Sequence, residues 1–474
     1  MNRTQLTGLD TAFLCLEGPS APMSIGAVAI FAPSQASHPT RLVRLLSERA
    51  AAIPRLRQRI ESSWLSLTGV RWADDPDFQA EHHIHAHRLS RPHQESQLTT
   101  LAGTIMGRRL DMSRPLWELH LITGLPGGRF AILAKLHHAL ADGAAAIMLS
   151  LGLLDGFTPA AATEAEQAPT LLGAPAKFVK DTVTGLPEQL RQARQTADIT
   201  ASVLRNTRAM ATDSPLRAGP STRRKLATLR LSVADIKQVR ALHGGTTNDV
   251  LLAVLSGALR NWLGERGQRV DELALRALIP VNQRRRDAAT SGTGNRLSGY
   301  LCDLPVDLRD PVRRLRAVRA EMDRNKAAGP FRGPGALPVL ADRAPAVLHR
   351  LATPLLGRAA NLLFDTVITN LALPNVPLSF AGASLREIYP VLPIAYGHAL
   401  GIALCSYQNS VHIGLHVNAA ALPDVDQLRD AIPEALTELA QARTRVVSEL
   451  PTRSASAVSA ELTRAEVAPS ASIR

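Results

Sequence analysis

The most informative segment of the chain reads Phe130-Ala-Ile-Leu-Ala-Lys-Leu-His137-His138-Ala-Leu-Ala-Asp142-Gly143. Its apolar first part predicts a buried strand, and the two histidines stand where that strand ends. Successive side chains of a strand point to opposite faces, so His138 shares a face with Phe130 and the apolar residues in step with it. We therefore expect His138 on the apolar side of the strand and His137 on the other.

The chemistry expected of His138 follows from that setting. An apolar environment disfavours the charged imidazole, and a neutral ring nitrogen can accept a proton from a hydroxyl group. A general base of this kind contributes about two to four powers of ten in rate. A hydrogen-bonded core histidine is the structural alternative. A metal site is disfavoured, because adjacent histidines on a strand diverge and leave only His138 and Asp142 as ligands.

Asp142 and Gly143 open a segment, 143–154, that is rich in alanine and leucine and predicts a helix. An aspartate at this position caps free backbone amides and complements the positive end of the helix. We therefore expect Asp142 to position the loop rather than to move a proton. Gly143 permits a close backbone approach or an unusual backbone angle.

The flanking segments alternate between strand-like and helix-like patterns, which predicts an α/β protein. Strand patterns at Leu116–Thr123 and Arg129–His138 are joined by a Leu-Pro-Gly-Gly turn and predict a hairpin. A second hairpin is predicted from His398–Ser406 and Ser410–Asn418. The other predicted strands are 24–31, 226–231, 273–280 and 297–304, and the other predicted helices are 39–62, 232–244, 250–262 and 311–328.

Composition divides the chain into two domains and a connection. Residues 1–154 make an N-terminal domain and residues 223–450 a second one, and the 474-residue chain with 45% hydrophobic residues can give both an ample core. Residues 155–222 are rich in Ala, Pro, Thr and Gln, with a helical stretch at Pro187–Met210, and predict an interdomain connection. Residues 451–474 lack periodicity and predict a disordered tail.

Charge and composition limit the function classes. The net charge of +13 suits a phosphate-bearing small molecule or an anionic membrane face. Nucleic acid is disfavoured as a partner, since aromatic residues make up only 4% and neither a zinc-finger nor an RNA-recognition pattern is visible. The three cysteines lie far apart and indicate a reducing cytosol. The chain lacks a signal-peptide pattern, and its apolar runs fall short of the roughly 20 residues that span a bilayer, so we expect a soluble or membrane-peripheral protein.

The segment His137-His138-Ala-Leu-Ala-Asp142-Gly143 resembles the HHxxxDG motif of the bacterial wax ester synthase/acyl-CoA:diacylglycerol acyltransferase family, of the actinobacterial triacylglycerol synthase type. Peptide-synthetase condensation domains share that motif, so the specificity comes from further blocks in the same order, between about residues 8 and 447. These blocks are Leu9-Asp-Thr-Ala-Phe13-Leu, Glu17, Pro22-Met23, Gly26, Pro115-Leu116-Trp117-Glu118, Asn248-Asp249, Gly294-Asn295, Pro377-Leu378, Gly382, Tyr389-Pro390, Ser406-Tyr407 and Pro423-Asp424.

The resemblance implies two α/β domains of the chloramphenicol acetyltransferase type, as in CoA-dependent acyltransferases, with a channel between them and His138 near its middle. It implies an O-acyltransferase in which His138 takes the hydroxyl proton of diacylglycerol, or of a long-chain alcohol, as that oxygen attacks a fatty acyl-CoA. His137 would support His138, and Asn248 and Asp249 would contact substrate. Acyl-CoA is a substrate in this reaction, so neither a cofactor nor a metal is expected.

The same resemblance implies a lipid surface as a partner. We expect a cytoplasmic protein that associates peripherally with the inner face of the plasma membrane or with lipid droplets, where a basic surface suits anionic headgroups. Structural interpretations stay open for several blocks. Asn248 and Asp249 can be an N-cap pair, Pro115–Trp117 can start a core strand, and the arginines of 284–286 and 313–319 can be solvated surface rather than contacts to CoA phosphates.

The chain departs from the family at three places. Ser24 stands where the family often has histidine, and Thr369-Asn370-Leu-Ala-Leu-Pro374 replaces a Ser-Asn-Val-Pro-Gly-Pro segment. Gln408 and Asn409 replace a glycine. These departures bear on the choice of acceptor. One alternative is a condensation-type acyltransferase with an amine or carrier-bound acceptor, against which the opening segment and the Pro115-Leu116-Trp117 block argue. The departures at Ser24 and Thr369–Pro374 keep a second alternative open, a catalytically inactive lipid-surface binding protein.

Overall fold

The computed structural model describes residues 4–33, 38–61, 70–90, 92, 94–157, 214–282, 297–328 and 363–442. The strands in these ranges are β1 Thr4–Gln5, β2 Ser24–Phe31, β3 Gln58–Glu61, β4 Arg71–Asp74, β5 Ile84–Arg88, β6 Trp117–Thr123, β7 Phe130–His137, β8 Arg224–Ser232, β9 Leu275–Asn282, β10 Leu297–Leu304, β11 Thr366–Ala372, β12 Ser379–Phe380, β13 Ala383–Val391, β14 Leu400–Tyr407 and β15 Ser410–Asn418. The α-helices are α1 Gly8–Leu16, α2 Pro39–Ala52, α3 Gln94–Met106, α4 Gly143–Leu151, α5 Val233–His243, α6 Thr247–Glu265, α7 Pro311–Ala328 and α8 Val425–Gln441.

Most predicted elements are confirmed. β2, β10, β15 and α7 have the predicted bounds, and both predicted hairpins form as antiparallel pairs, β6 with β7 and β14 with β15. The helix predicted over 39–62 was wrong in its second half, because Pro54 excludes α conformation at Ile53, and a 3₁₀ turn and β3 follow. Pro187–Met210 and residues 451–474 lie outside the described residues.

The first six-stranded sheet has the order β12-β13-β2-β7-β6-β5 and carries the histidine doublet at the end of β7. β5 and β6 run parallel, and the other neighbours are antiparallel. Every residue of β7 is buried, because the strand lies between β2 and β6 and is covered on both faces. A continuous apolar run in the sequence is the signature of such a strand.

The second six-stranded sheet has the order β10-β9-β11-β14-β15-β8, with parallel pairs on both sides of β11. The apolar helix α6 lies in the core beneath it, with thirteen buried residues. A small antiparallel sheet, β1-β4-β3, completes the described strands.

The two halves of the chain are joined by close backbone contacts. β13 belongs to the second half of the sequence but pairs with β2 in the first sheet. Gly414 on β15 lets the second sheet approach β13 of the first sheet, because a Cβ atom would stand 2.0 Å from the carbonyl oxygen of Pro390. Arg224, at the start of β8, donates a hydrogen bond of 2.6 Å to the carbonyl oxygen of Ser20.

The predicted two-domain α/β class is therefore confirmed. The domain boundaries and the channel between the domains stay predictions. None of the helices in the described ranges is long and apolar enough to cross a membrane.

Candidate active site at the end of strand β7

The ring of His138 lies in the turn that follows β7. The strand ends at His137, one residue earlier than predicted, so face alternation does not fix the direction of His138. Two contacts hold the residue instead. Its backbone N–H donates to the carbonyl oxygen of Met23 at 2.8 Å, and its ring stacks on Phe13 with the centroids 3.9 Å apart. The residue as a whole is half-buried, and its Nδ1 is among the buried atoms.

The electrostatic environment keeps the His138 ring neutral. Burial lowers the pKa of His138 below its usual 6.5, against the opposing effects of its own backbone carbonyl and of the Asp142 charge. A neutral imidazole can accept a proton from a substrate hydroxyl group that reaches a ring nitrogen.

His137 occupies a different environment from His138. Its side chain is fully buried, and its Nδ1 accepts a hydrogen bond of 3.0 Å from the backbone N–H of Ala139. Burial lowers the pKa of His137 to about 3, and repulsion from the Arg109 charge, and from His138 when it is protonated, acts in the same direction. The two rings of the doublet thus make different contacts. Within the described ranges, no group of three or more His, Cys, Asp or Glu residues could hold a metal ion.

Asp142 lies where its expected structural role requires. It is the N-cap of α4, and its Oδ1 accepts a hydrogen bond of 2.8 Å from the backbone N–H of Ala145. Gly143 does not have the unusual backbone angle that we considered, since its φ is not in the positive range. A Cβ atom at this position would meet Leu371 at 3.4 Å, an ordinary contact distance.

Asn248 and Asp249 differ from the predicted N-cap pair. The cap of α6 is Thr246, and Asp249 completes a capping box with it through hydrogen bonds of 2.8 and 3.2 Å. The sequence-based cap was two residues too late, because three more polar residues, Thr247 to Asp249, follow the true cap. Asp249 is buried, whereas Asn248 is half-buried and its Oδ1 accepts a long contact of 3.5 Å from the Asn370 side chain.

Strand β11 is where residues from both halves meet. Leu371 lies against Gly143, directly beside the HHxxxDG segment, and Asn370 contacts Asn248. These two residues of β11 belong to the segment 369–374, in which the chain departs from the family. Ser24, a second departure, is buried and lies opposite His137 in the register of β2 and β7.

The remaining blocks have mainly structural contacts. Trp117 is buried, and its ring N–H donates to the carbonyl oxygen of Leu56 at 2.7 Å, as expected for a packed anchor. Arg313, Arg316 and Arg319 are exposed, as solvated surface predicts. Arg314 is not, because its guanidinium is buried and donates to the carbonyl oxygens of Leu308 and Arg309. Arg284–Arg286 and Gly294-Asn295 lie outside the described residues.

Three residues near the doublet were not predicted as site residues: Phe13, Glu17 and Arg109. Phe13 provides the surface on which His138 stacks, and the buried Glu17 carboxylate stands 3.7 Å from the Nε2 of His137. Arg109 contacts the same carboxylate at 3.0 Å. The sequence offered one signal for this contact, a glutamate directly after the apolar segment 9–16. Nothing local relates that glutamate to a strand more than a hundred residues away.

Comparison with known families gives two matches that together cover most of the chain. Residues 6–251 match the wax ester synthase/diacylglycerol acyltransferase catalytic domain, and residues 293–440 match the WS/DGAT C-terminal domain. Among curated relatives, the probable diacylglycerol O-acyltransferase tgs1 of Mycobacterium tuberculosis is 34% identical over 450 residues, 92% of this chain and 95% of that protein. A second mycobacterial relative, tgs2, is 31% identical over 460 residues, 91% of this chain and 98% of that protein.

Solved structures agree on the fold. The wax ester synthase/diacylglycerol acyltransferase from Marinobacter aquaeolei VT8 aligns with a TM-score of 0.67 and 25% identity over 92% of this chain and 98% of that one. The trichothecene 15-O-acetyltransferase TRI3 of Fusarium sporotrichioides aligns with a TM-score of 0.60 and 13% identity over 92% and 95%, which shows a shared fold alone. With the ordered motif blocks, the two domain matches and these relatives together, the chain belongs to the wax ester synthase/diacylglycerol acyltransferase family.

Proposed function

We propose that this chain transfers a fatty acyl group from acyl-CoA to the hydroxyl group of diacylglycerol, with His138 as the general base. The observation that carries the proposal is a neutral, half-buried imidazole at the end of β7, within the HHxxxDG segment of a member of this family. The relatives named diacylglycerol O-acyltransferases, aligned over about nine tenths of the chain, support the reaction class.

The proposed reaction needs one proton transfer in each direction. The His138 imidazole takes the proton of the acceptor hydroxyl while that oxygen attacks the thioester carbonyl carbon. The tetrahedral intermediate then collapses, the carbon–sulfur bond breaks, and the imidazolium returns its proton to the departing thiolate. The products are an oxygen ester and free CoA. His137, neutral and hydrogen-bonded to the chain itself, supports the turn and takes no part in the proton transfer.

The choice of acceptor depends on the family and on the residues in which this chain departs from it. The family name supports long-chain alcohols as well as diacylglycerol. The residues that bear on the choice are those in which the chain departs from the family, and Asn370 and Leu371 of that set lie beside Asn248 and Gly143. An amine acceptor is disfavoured, because the opening segment and the Pro115-Leu116-Trp117 block resemble this family rather than condensation domains.

The test is a product assay with the purified full-length chain. Labelled palmitoyl-CoA is incubated with diacylglycerol, hexadecanol or a long-chain amine, and the labelled lipids are separated. We expect triacylglycerol as the main product and a smaller amount of wax ester. An amide as the main product would replace this proposal with the condensation-type reaction, and no product above the blank with any acceptor would indicate an inactive lipid-binding protein.

We further infer that the chain meets its acceptor at a lipid surface, the inner face of the plasma membrane or a lipid droplet. The net charge of +13 and an acceptor that resides in lipid support this association. Flotation with vesicles that contain anionic lipid should carry the protein upward at low salt and release it at high salt. Equal recovery with neutral vesicles at both salt concentrations would exclude an electrostatic contribution.

A further inference from the structure

Three buried polar atoms lie in or beside the histidine doublet: Glu17 Oε1, Ser24 Oγ and His137 Nε2. None of them has a hydrogen-bond partner in the described part of the chain. Each of the three side chains is at most 1% exposed. Buried polar atoms almost always find a partner, because leaving one unsatisfied costs about 1–3 kcal/mol. Three such atoms close to a proposed catalytic residue therefore need an explanation.

The geometry of His137 fixes which of its nitrogens carries the proton. Its Nδ1 accepts the N–H of Ala139, so the proton of the neutral ring is on Nε2. That Nε2 stands 3.7 Å from Glu17 Oε1, about 0.5 Å beyond the usual hydrogen-bonding range. A small movement of either side chain would make a charge-assisted hydrogen bond. Ser24, opposite His137 in the sheet register, contributes a hydroxyl group on the same face.

The Glu17 carboxylate is itself held in place. Glu17 is the C-cap of α1, which fixes its backbone, and its Oε2 accepts a hydrogen bond of 3.0 Å from Arg109. The segment after Glu17 also contacts the doublet, because the carbonyl oxygen of Met23 accepts a hydrogen bond from the backbone N–H of His138. Residues 17–23 therefore contact both histidines of the doublet.

We propose that Glu17 is a positioning residue for acyl transfer. Its carboxylate orients the His137 ring through Nε2–H, and His137 holds the Ala139 amide and thereby the turn that presents His138. The proton that His138 moves never reaches Glu17. This inference rests on the proposed function, because it requires His138 to act on a substrate.

The test compares Glu17→Leu with Glu17→Gln by kcat and KM in the palmitoyl-CoA and diacylglycerol assay. Leucine has a similar size but no acceptor atom, whereas glutamine keeps an oxygen for His137 and lets the half-exposed Arg109 turn to solvent. We expect Glu17→Leu to lower kcat by about 10- to 100-fold with KM for palmitoyl-CoA within about 2-fold, since misplacement by about 1 Å can cost that much. Glu17→Gln should keep at least about a third of the wild-type kcat.

Circular dichroism and thermal unfolding of both variants keep the comparison interpretable, because a leucine variant that fails to fold would contradict a role confined to positioning. Equal kcat values in the two variants would overturn the inference, as would a loss in KM alone. An inactive wild-type protein would overturn the proposed function, and this role with it. An active wild-type protein whose activity survives Glu17→Leu would remove only the role of Glu17.

Discussion

Two histidine environments in this molecule differ in their exposure to solvent rather than in the charge of the imidazole ring. His138 follows β7 in the first sheet, whereas His412 and His416 lie inside β15 in the second sheet. Burial lowers the pKa of all three rings, to about 4 for His412 and for His416. His412 and His416 are only 1 and 2% exposed, while His138 keeps part of its surface accessible.

The difference teaches that a lowered histidine pKa does not by itself identify a catalytic base. His416 uses its Nδ1 in a hydrogen bond of 2.6 Å to the Leu392 carbonyl oxygen, and His412 packs edge-on against Tyr389. Both serve the core. His138 differs because β7 ends one residue before it, so its ring leaves the sheet and stacks on Phe13.

The largest expected effect separates the two environments directly. His138→Ala should lower kcat by about 100- to 10,000-fold, because it removes the general base. His412→Leu, which removes a buried imidazole from the second sheet, should leave kcat within about 3-fold of wild type. Both are measured as ester formed from palmitoyl-CoA and diacylglycerol. Comparable losses in the two variants would mean that burial rather than access sets the effect.

The pH dependence of stability tests the burial of His412 in the second sheet. His412 has a pKa of about 4 when folded and near 6.5 when unfolded, so below pH 6.5 the unfolded chain binds the extra proton. Stability is therefore complete above pH 6.5 and falls as the pH drops towards 4, by about 3 kcal/mol for this group. Denaturant unfolding of His412→Leu should show that much less pH dependence across this window. An unchanged slope would show that His412 does not titrate as described.

Removal of the N-cap of α4 should have a smaller effect on stability, and it should also lower kcat. Asp142→Ala should cost about 1 kcal/mol of unfolding free energy, because it removes the hydrogen bond to Ala145 N–H. Ser232→Ala is the matched control, since Ser232 caps α5 through Ala234 N–H, remote from the doublet along the chain. We expect similar losses of stability but a lower kcat only in Asp142→Ala. Equal kcat values would remove the role of Asp142 in positioning the loop.

The smallest effect concerns the turn between β14 and β15. Gln408 has a φ of 52°, in the left-handed region that favours glycine, at a position where the family has glycine. Gln408→Gly should therefore stabilise the protein by up to about 1 kcal/mol, whereas Asn409→Gly should not. The midpoint of denaturant unfolding measures both. Destabilisation by Gln408→Gly would mean that its contact with the Tyr407 hydroxyl matters more than the backbone angle.

Local patterns predicted most of the elements but not how they assemble. The bounds of β2, β10, β15 and α7 follow from runs of apolar residues and from breaks at proline and glycine, which act over a few residues. The pairing of β13 with β2 joins residues more than 350 positions apart, and nothing in either segment specifies that partner.

The candidate site was predictable to the same degree. The motif identified His137, His138 and Asp142, and the N-cap role of Asp142 follows from its place before an apolar helix. The face argument for His138 failed because alternation ends with the strand at His137. Phe13 and Glu17 come from α1 and its C-cap, which reach the doublet only through tertiary packing.

The pH dependence of kcat/KM for the wild-type protein, with palmitoyl-CoA and diacylglycerol, tests the neutral His138 base most directly. The assays are kept short, and circular dichroism at each pH checks that the protein is folded. Because burial lowers the pKa of His138, we expect kcat/KM to decrease as the pH is lowered and the base becomes protonated. The decrease should have a one-proton slope and a midpoint below pH 6.5. A midpoint at or above pH 6.5 would contradict the account, because the ring would then be stabilised in its charged form.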